Sequence, residues 1–221
     1  MDYLIHQLLT KDQVKVIRNN LLTNQSDWED GRKTAGQQAA KVKNNLQLNK
    51  ESSTAIRCSE EIQNQIIANE LIKSFCLPKK IHGVMFSKSV NSHGYGMHVD
   101  NAFMGSGRSD ISFTIFLSEK DSYNGGELCI QTIQENKEIK LSPGEGIFYP
   151  STSLHSVNKV LEGERLACVG WIESYVSSNE DREILFGLHA GAKGILAEKG
   201  HSPQLDLIFQ AYNNLLRRLG N

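Results

Sequence analysis

Apolar residues recur at helical spacing in the first part of the chain. Thr10 precedes a segment in which Val14, Ile17 and Leu21 fall on one helical face, so Thr10 is the expected N-cap of a first helix. The same spacing returns over residues 59–76 and stops shortly before a proline. We therefore expect two helices before residue 80.

From residue 81 to about residue 172 the pattern changes to short apolar runs separated by Gly, Pro, Asn and Asp. This punctuation is typical of a β sandwich or barrel. Eight short strands favour a double-sheet jelly roll. The predicted strands lie at residues 83–87, 95–100, 111–118, 127–132, 138–141, 146–149, 155–161 and 166–173.

The strand at 111–118 has the clearest alternation. Ile111, Phe113 and Ile115 alternate with Ser112 and Thr114. Because successive side chains of a strand point to opposite faces, this pattern predicts a half-buried strand.

Helical spacing returns after residue 173 and predicts helices over 180–188 and 205–219. The second helix carries an apolar stripe that covers either the sheet or a second subunit, so a homodimer is one expectation. The stripe consists of Leu205, Ile208, Tyr212, Leu215 and Leu219.

These patterns predict a mainly β protein with flanking helices. Residues 1–80 are expected to form N-terminal helices and a polar loop that pack on the core, residues 81–175 the jelly-roll core, and residues 176–221 a C-terminal helical extension. The polar stretch 23–50 is expected to be a long loop or a flap.

Composition narrows the classes of function. Lys and Arg total 24 against 25 Asp and Glu, a net charge of −1, so no large basic surface is expected to bind nucleic acid or an anionic membrane. The four cysteines are scattered, which favours reduced thiols in a reducing compartment. With no recognisable signal peptide and no long apolar run, a cytoplasmic protein is expected.

Two potential metal ligands occur close together in the predicted core. His98 and Asp100 are separated by one residue, and on a strand such side chains leave the same face. An H-x-D pair alone is a weak signal. His155 follows 55 residues after Asp100, in a region that brings a late strand beside an early one. Two histidines and one carboxylate form a facial triad, which leaves coordination positions on Fe(II) for a chelating co-substrate and O₂.

Arg165 is the expected partner of that co-substrate. It lies ten residues after His155, at the start of an apolar strand. A guanidinium binds a carboxylate with two parallel hydrogen bonds, which suits the 5-carboxylate of 2-oxoglutarate.

The motifs around these residues resemble the PKHD-type hydroxylases, a bacterial group within the prolyl-4-hydroxylase-like Fe(II)/2-oxoglutarate oxygenases. In the predicted core they are YGMHVDNA (95–102), FTIFLS (113–118), NGGEL (124–128) and YPSTSLH (149–155), together with Arg165 and Trp171-Ile172. Outside it, DGRKTAG (30–36), VKNNLQL (42–48) and YNNLLR (212–217) extend the similarity to nearly the whole chain.

The resemblance implies a double-stranded β-helix, with iron on His98, Asp100 and His155 and 2-oxoglutarate on Arg165. It implies hydroxylation of a substrate by O₂, release of succinate and CO₂, and ascorbate as a supporting reductant. The substrate is expected to be a small molecule or a peptide, but an amino acid, a metabolite and a protein side chain all remain open. One departure is that Ser87-Lys88-Ser89 stands where the family commonly has Asn-Arg-Tyr, so a tyrosine contact with the co-substrate or pocket is missing.

Four further residues are candidates around the site. Tyr149 either packs in the barrel or contacts the co-substrate. Asn101 and Arg108 belong to a glycine-rich segment after the ligands, which is expected to form a lid. Arg108 either faces solvent or meets a substrate acid there. Asn45 lies in a polar segment and either joins the substrate rim or faces solvent.

Two other functions remain open at this point. One is a cupin-like metalloenzyme that uses the same ligands with zinc or manganese, against which Arg165 argues. The other is a non-catalytic sensor that binds iron or 2-oxoglutarate and regulates a partner.

Overall fold

The computed structural model describes residues 3–23, 27–34, 39–105, 107–132 and 134–221. The helices in this part of the chain are α1 (Lys11–Thr23), α2 (Ser53–Ala68), α3 (Glu70–Cys76), α4 (Asn179–Lys199) and α5 (Pro203–Leu219). Its strands are β1 (Leu4–Gln7), β2 (Trp28–Asp30), β3 (Lys43–Asn44), β4 (Leu46–Leu48), β5 (Pro78–Ser89), β6 (Gly94–His98), β7 (Phe103–Met104), β8 (Gly107–Arg108), β9 (Ile111–Phe116), β10 (Tyr123–Gly125), β11 (Leu128–Gln131), β12 (Asn136–Ile139), β13 (Glu145–Pro150), β14 (His155–Val157), β15 (Val160–Gly163) and β16 (Arg165–Ser174).

Two antiparallel sheets face each other and form the predicted jelly roll. The major sheet has the strand order β1-β13-β9-β16-β5-β4-β2, and the minor sheet has the order β12-β11-β14-β6-β3. Strands β10 and β15 form a separate pair, as do β7 and β8. The prediction of a mainly β fold with flanking helices is confirmed.

The outer face of the major sheet is covered by the N-terminal helices. Ile17 of α1 and Ile62 of α2 are almost fully buried, in one apolar cluster with Phe86 of β5, Ile115 of β9 and Cys168 of β16. A second cluster joins Phe116 of β9 to apolar residues of both sheets, including Leu128 of β11 and Ile147 of β13.

Strand β9 is buried on both faces, so the prediction of a half-buried strand was wrong. Ile111, Phe113 and Ile115 pack in the cluster beneath the helices, whereas Ser112 and Thr114 line a cavity between the sheets. All six residues of the strand are buried. The alternation therefore separates an apolar core from a polar cavity, and not a core from solvent.

The segment 59–76, predicted as one helix, is two helices joined at Asn69. Asn69 has an extended backbone that ends α2, and its side-chain oxygen accepts a hydrogen bond from the Ile72 amide at the start of α3. An asparagine side chain that bonds nearby amides favours a cap over a helix interior. Helix α3 then ends at Leu77, which has a left-handed backbone and precedes Pro78.

The stretch 23–50 is more ordered than the expected loop or flap, although residues 24–26 and 35–38 lie outside the described part of the chain. Strands β2 and β4 extend the major sheet, and β3 pairs with β6 of the minor sheet. The division of the chain at residue 81 stays a prediction, but strands from before that residue contribute to both sheets.

Two other elements differ from the expectations. The predicted strand 155–161 is two strands, β14 in the minor sheet and β15 in the pair with β10. The expected lid contains the short pair β7–β8, whose residues Phe103 and Met104 pair with Arg108 and Gly107. Ser106, between these two strands, lies outside the described residues.

The C-terminal helices pack on the chain's own core. Helix α4 extends to Lys199, eleven residues beyond the predicted end at Leu188. Tyr212, Leu215 and Leu219 of the predicted stripe are partly buried against a cluster that contains Leu185 of α4, so part of the stripe packs within the chain. No helix of the described residues is long and apolar enough to span a membrane.

Candidate active site

The three predicted metal ligands meet in the cavity between the sheets. His98 ends β6, His155 begins β14, and the two residues are direct partners across these antiparallel strands. Asp100 follows β6, and its Oδ1 and Oδ2 lie 3.9 Å from His98 Nε2 and 3.8 Å from His155 Nε2. One potential ligand atom from each residue lies within 4.8 Å of the other two.

Backbone carbonyls orient both imidazoles. His98 Nδ1 lies 2.8 Å from the Gly96 carbonyl oxygen, and His155 Nδ1 lies 3.0 Å from the Ser153 carbonyl oxygen. Because a carbonyl oxygen can only accept, Nδ1 is the donor in each ring and Nε2 carries a free lone pair. This is the arrangement commonly found around metal-binding histidines.

Asp100 is oriented by two serines that sequence reasoning missed. Ser112 on β9 donates a hydrogen bond of 2.6 Å to Asp100 Oδ2, and its hydroxyl lies 2.8 Å from that of Ser151. The sequence signal was the polar face of this strand, Ser112 and Thr114, which does not by itself show which of the two contacts Asp100.

The electrostatic surroundings favour neutral, ligating imidazole at His98. Burial, followed by the neighbouring His155, lowers the pKa of His98 to about 4. The Tyr95 ring stacks on the His98 ring with centroids 3.6 Å apart, which excludes water from one face of the ligand.

Arg165 is a buried cation whose guanidinium is incompletely bonded. It is 3% exposed, and its Nε and Nη2 have no hydrogen-bond partner among the described residues. Burial lowers its pKa, while the facing hydroxyls of Tyr123 and Tyr149 favour the charged form. Unsatisfied buried donors are costly, so this arrangement fits an anionic ligand that supplies the missing acceptors.

The cavity joins the triad to Arg165. Its volume is about 140 Å³, roughly ten times the space that holds one water molecule. Asn45, Asn101, Tyr149 and Arg165, predicted as binding or rim residues, all line it. The Tyr149 ring contacts the His155 ring edge-on at a centroid distance of 5.2 Å, and burial raises the pKa of Tyr149 well above its usual value.

Arg108, a candidate for contact with a substrate acid, is not among the described residues that line this cavity. Its Nε donates to Asp110 Oδ1 at 2.8 Å, and its Nη2 donates to the Ser174 carbonyl oxygen at 2.9 Å. These bonds tie β8 to the end of β16. Because the guanidinium is already paired, Arg108 has a structural role here.

The segment Ser87-Lys88-Ser89, where the sequence departs from the PKHD-type pattern, lies in the cavity wall. Ser87 and Ser89 of β5 line the cavity, and Ser89 is the direct partner of Arg165 on β16. Lys88 points to the opposite face, with its Nζ 4.6 Å from the centre of the Trp28 ring. Small hydroxyl side chains therefore occupy the wall beside Arg165.

Comparison with known proteins identifies the family. Residues 78–173 match the 2OG-Fe(II) oxygenase superfamily. A PKHD-type hydroxylase of Prochlorococcus marinus (strain MIT 9303) is 63% identical over 221 residues, and the match covers 100% of both chains. The chain belongs to the PKHD-type hydroxylases. It is therefore an Fe(II)- and 2-oxoglutarate-dependent dioxygenase that hydroxylates its substrate, as the sequence predicted.

Solved structures confirm the jelly-roll fold of this hydroxylase. A prolyl-4-hydroxylase from Pseudomonas putida has a TM-score of 0.57 at 15% identity and covers 78% of this chain and 92% of its own. A prolyl hydroxylase from Trichoplax adhaerens, in complex with a hypoxia inducible factor peptide fragment, has a TM-score of 0.58 at 14% identity and covers 83% and 86%.

Proposed function

We propose that this hydroxylase holds Fe(II) on His98, Asp100 and His155 and binds the 5-carboxylate of 2-oxoglutarate through Arg165. The observation that carries the proposal is the buried, incompletely bonded guanidinium of Arg165 in the cavity that also contains the triad. The donor set fits the metal, since two imidazole nitrogens and one carboxylate are the usual ligands of Fe(II) in oxygenases.

When bound, iron and 2-oxoglutarate supply the oxidative decarboxylation that gives succinate and CO₂ and drives hydroxylation of the substrate. The protein's residues supply position and surroundings. Gly96 and Ser153 fix the histidine tautomers, Ser112 fixes the carboxylate of Asp100, and Arg165 fixes the far end of the co-substrate.

Tyr149 is proposed as a further contact of the co-substrate. Burial keeps its phenol protonated, so the hydroxyl is a hydrogen-bond donor in the cavity that Arg165 lines. Asn101 and Asn45 are proposed at the substrate rim, because both line the same cavity. The substrate is proposed to be a small molecule or a peptide, with ascorbate keeping iron reduced in the cytoplasm.

The test of the co-substrate site is the variant Arg165→Lys. Lysine keeps the charge but not the paired donors, so the dissociation constant for 2-oxoglutarate should rise by about tenfold or more, while iron binding changes little. Anaerobic titrations of each ligand measure both effects. Arg217→Lys on the exposed surface of α5 is the matched control. Equal loss of iron and 2-oxoglutarate affinity would contradict the assigned roles.

Succinate release separates this function from the alternatives. The enzyme with Fe(II), O₂ and 2-oxoglutarate should produce succinate slowly without substrate and faster with it. A protein that binds both ligands without turnover would be a sensor, and one that is active with zinc without 2-oxoglutarate would be a cupin-like enzyme.

A further inference from the structure

The Tyr95 ring lies against one of the proposed metal ligands. It stacks on the His98 ring with centroids 3.6 Å apart and an angle of 22° between the ring planes. On the other side of the triad, the Tyr149 ring contacts the His155 ring edge-on at a centroid distance of 5.2 Å. Of the aromatic side chains with a described ring contact to the triad, Tyr95 is therefore the closest.

An irregularity in β6 places Tyr95 on the same side of the strand as His98. In the pairing with β14, His98 lies opposite His155 and Tyr95 lies opposite Val157, so three residue steps of β6 match two steps of β14. Residues three apart on a regular strand face opposite sides, whereas a bulge re-aims one of them. Both side chains line the active-site cavity as a result. The stack is thus built into the backbone of β6.

The stack also places the phenol ring beside the proposed metal position. A metal bound to His98 Nε2 lies close to the plane of the imidazole, at about 2 Å from the nitrogen. The Tyr95 ring is nearly parallel to the imidazole, and the two centroids are 3.6 Å apart. The phenol ring therefore flanks both the ligand and the metal, in the cavity that also contains Arg165.

Turnover without substrate requires another acceptor for the oxygen atom. Enzymes that generate strong oxidants limit such side reactions by excluding competing groups from the site. Here the cavity wall itself carries an oxidisable group, because the hydroxyl of Tyr95 makes its ring electron-rich. Other oxidisable side chains also line the cavity, namely Met85, Met104, Tyr149 and Trp171. Among these, only Tyr149 has a described ring contact with the triad, and its centroid distance is longer than that of Tyr95.

We propose that Tyr95 is a site of oxidative self-modification, at which turnover without substrate inserts one oxygen atom into the tyrosine ring beside its hydroxyl. The inference rests on the proposed metal and co-substrate site. One atom of O₂ enters the ring, where C–OH replaces C–H, and the other enters succinate as 2-oxoglutarate loses CO₂. The ring and 2-oxoglutarate each give up two electrons, which together reduce O₂. The product is a dihydroxyphenylalanine side chain.

The test is tandem mass spectrometry of the enzyme after turnover without substrate. The enzyme is incubated in air with Fe(II) and 2-oxoglutarate, with catalase present to remove peroxide, and is then digested with trypsin. Cleavage after Lys88 and Arg108 gives a peptide whose single tyrosine is Tyr95, but which also contains Met97 and Met104. Because methionine sulfoxide has the same added mass, fragmentation of the peptide locates the oxygen atom. We expect one added oxygen on Tyr95, in an amount that increases with succinate release and requires iron, 2-oxoglutarate and O₂.

The variant Tyr95→Phe should resist this modification. Phenylalanine keeps a ring in place but lacks the activating hydroxyl, so oxygen insertion at this ring per succinate released should fall by about tenfold or more, which corresponds to a barrier higher by about 1.4 kcal/mol. Tyr175→Phe is the matched control, because Tyr175 is exposed after β16 and is not among the described residues that line the cavity. It should leave the modification of Tyr95 unchanged. Circular dichroism and 2-oxoglutarate titration of each variant verify the fold and the co-substrate site.

Three results would overturn the proposal: added oxygen on other cavity residues with none on Tyr95, oxygen on Tyr95 that also appears without 2-oxoglutarate, or an unmodified Tyr95 after the release of more succinate than there is enzyme. Failure of the proposed metal and co-substrate roles is distinguishable, because it appears in the iron and 2-oxoglutarate titrations and as a loss of basal succinate release.

Discussion

Ser112 shows how a residue outside the proposed metal-binding triad can orient one of its ligands, Asp100. The carboxylate of Asp100 would be free to rotate without the 2.6 Å hydrogen bond from Ser112, which is itself held near Ser151. Both serines are buried, so water does not readily replace them. The orientation of the only anionic residue in the proposed triad therefore depends on the inward face of β9.

Removal of this hydrogen bond should weaken iron binding. We expect Ser112→Ala to raise the dissociation constant for Fe(II) by about 10- to 100-fold, because partners that orient ligating groups contribute that much to metal affinity. Anaerobic metal titration measures the change. Ser122→Ala is the control, since its hydroxyl bonds the Glu119 carbonyl on the exposed surface. Unchanged iron affinity in Ser112→Ala would show that Asp100 is held by other means.

At the residue scale, the sequence identifies functional side chains when their chemistry is uncommon in the core of a β protein. His98, Asp100, His155 and Arg165 could be singled out because buried strands rarely need ionisable groups. Ser112 could not, because serine is common in strands and its function depends on a partner twelve residues away. The sequence also could not show that the guanidinium of Arg108 is paired, since that depends on a contact with distant β16.

At the scale of elements, Gly125 at the end of β10 lets the chain pass close to the segment that joins β14 to β15. Gly125 has a φ of +74°, and a Cβ at this position would lie 2.1 Å from the Lys159 carbonyl oxygen. The position therefore requires glycine both for its backbone conformation and for the close approach of the segment between β14 and β15.

We expect Gly125→Ala to destabilise the fold by about 2 kcal/mol or more, because a left-handed backbone and a backbone clash are combined. Urea unfolding followed by circular dichroism measures the loss. The matched control is Gly187→Ala on α4, where a Cβ meets nothing within 4 Å. That change should stabilise the protein by about 0.5–1 kcal/mol, since alanine favours a helix. Equal effects of the two changes on the free energy of unfolding would show that position 125 does not require glycine.

The elements that sequence predicted well are those with strong periodicity and clear ends. Helix α1 begins after Thr10, whose hydroxyl accepts a bond from the Gln13 amide, as expected of an N-cap. The end of α4 was missed because Gly191 and Gly194 interrupt its apolar pattern. The division between β14 and β15 was missed because both strands are short and the boundary is set by pairing with different sheets.

At the scale of the molecule, the active site is assembled from parts that are distant along the chain. His98 and Asp100 come from one end of β6, His155 comes from β14, and Arg165 begins β16 in the opposite sheet. An unfolded chain cannot hold these groups together, so the site exists only when both sheets are formed. Ligands of the site should therefore bind the native state far more tightly than the unfolded state.

Metal and co-substrate should consequently stabilise the entire fold. At a free Fe(II) concentration of one hundred times its dissociation constant, under anaerobic conditions, we expect the free energy of unfolding to rise by about 2.7 kcal/mol. For a chain of this size that corresponds to an increase in Tm of roughly 5–10 °C. 2-Oxoglutarate should add to the increase when iron is present.

Scanning calorimetry of the wild type and of His98→Ala measures this linkage. The variant should lose the iron-dependent increase because it lacks one of the three proposed ligands. Its Tm without metal is the baseline for the comparison, since the lost ring also stacks on Tyr95 and bonds the Gly96 carbonyl. His201→Ala, an exposed histidine before α5, is the control and should keep the full increase. If iron raises the Tm of His98→Ala as much as that of the wild type, the stabilising metal binds elsewhere.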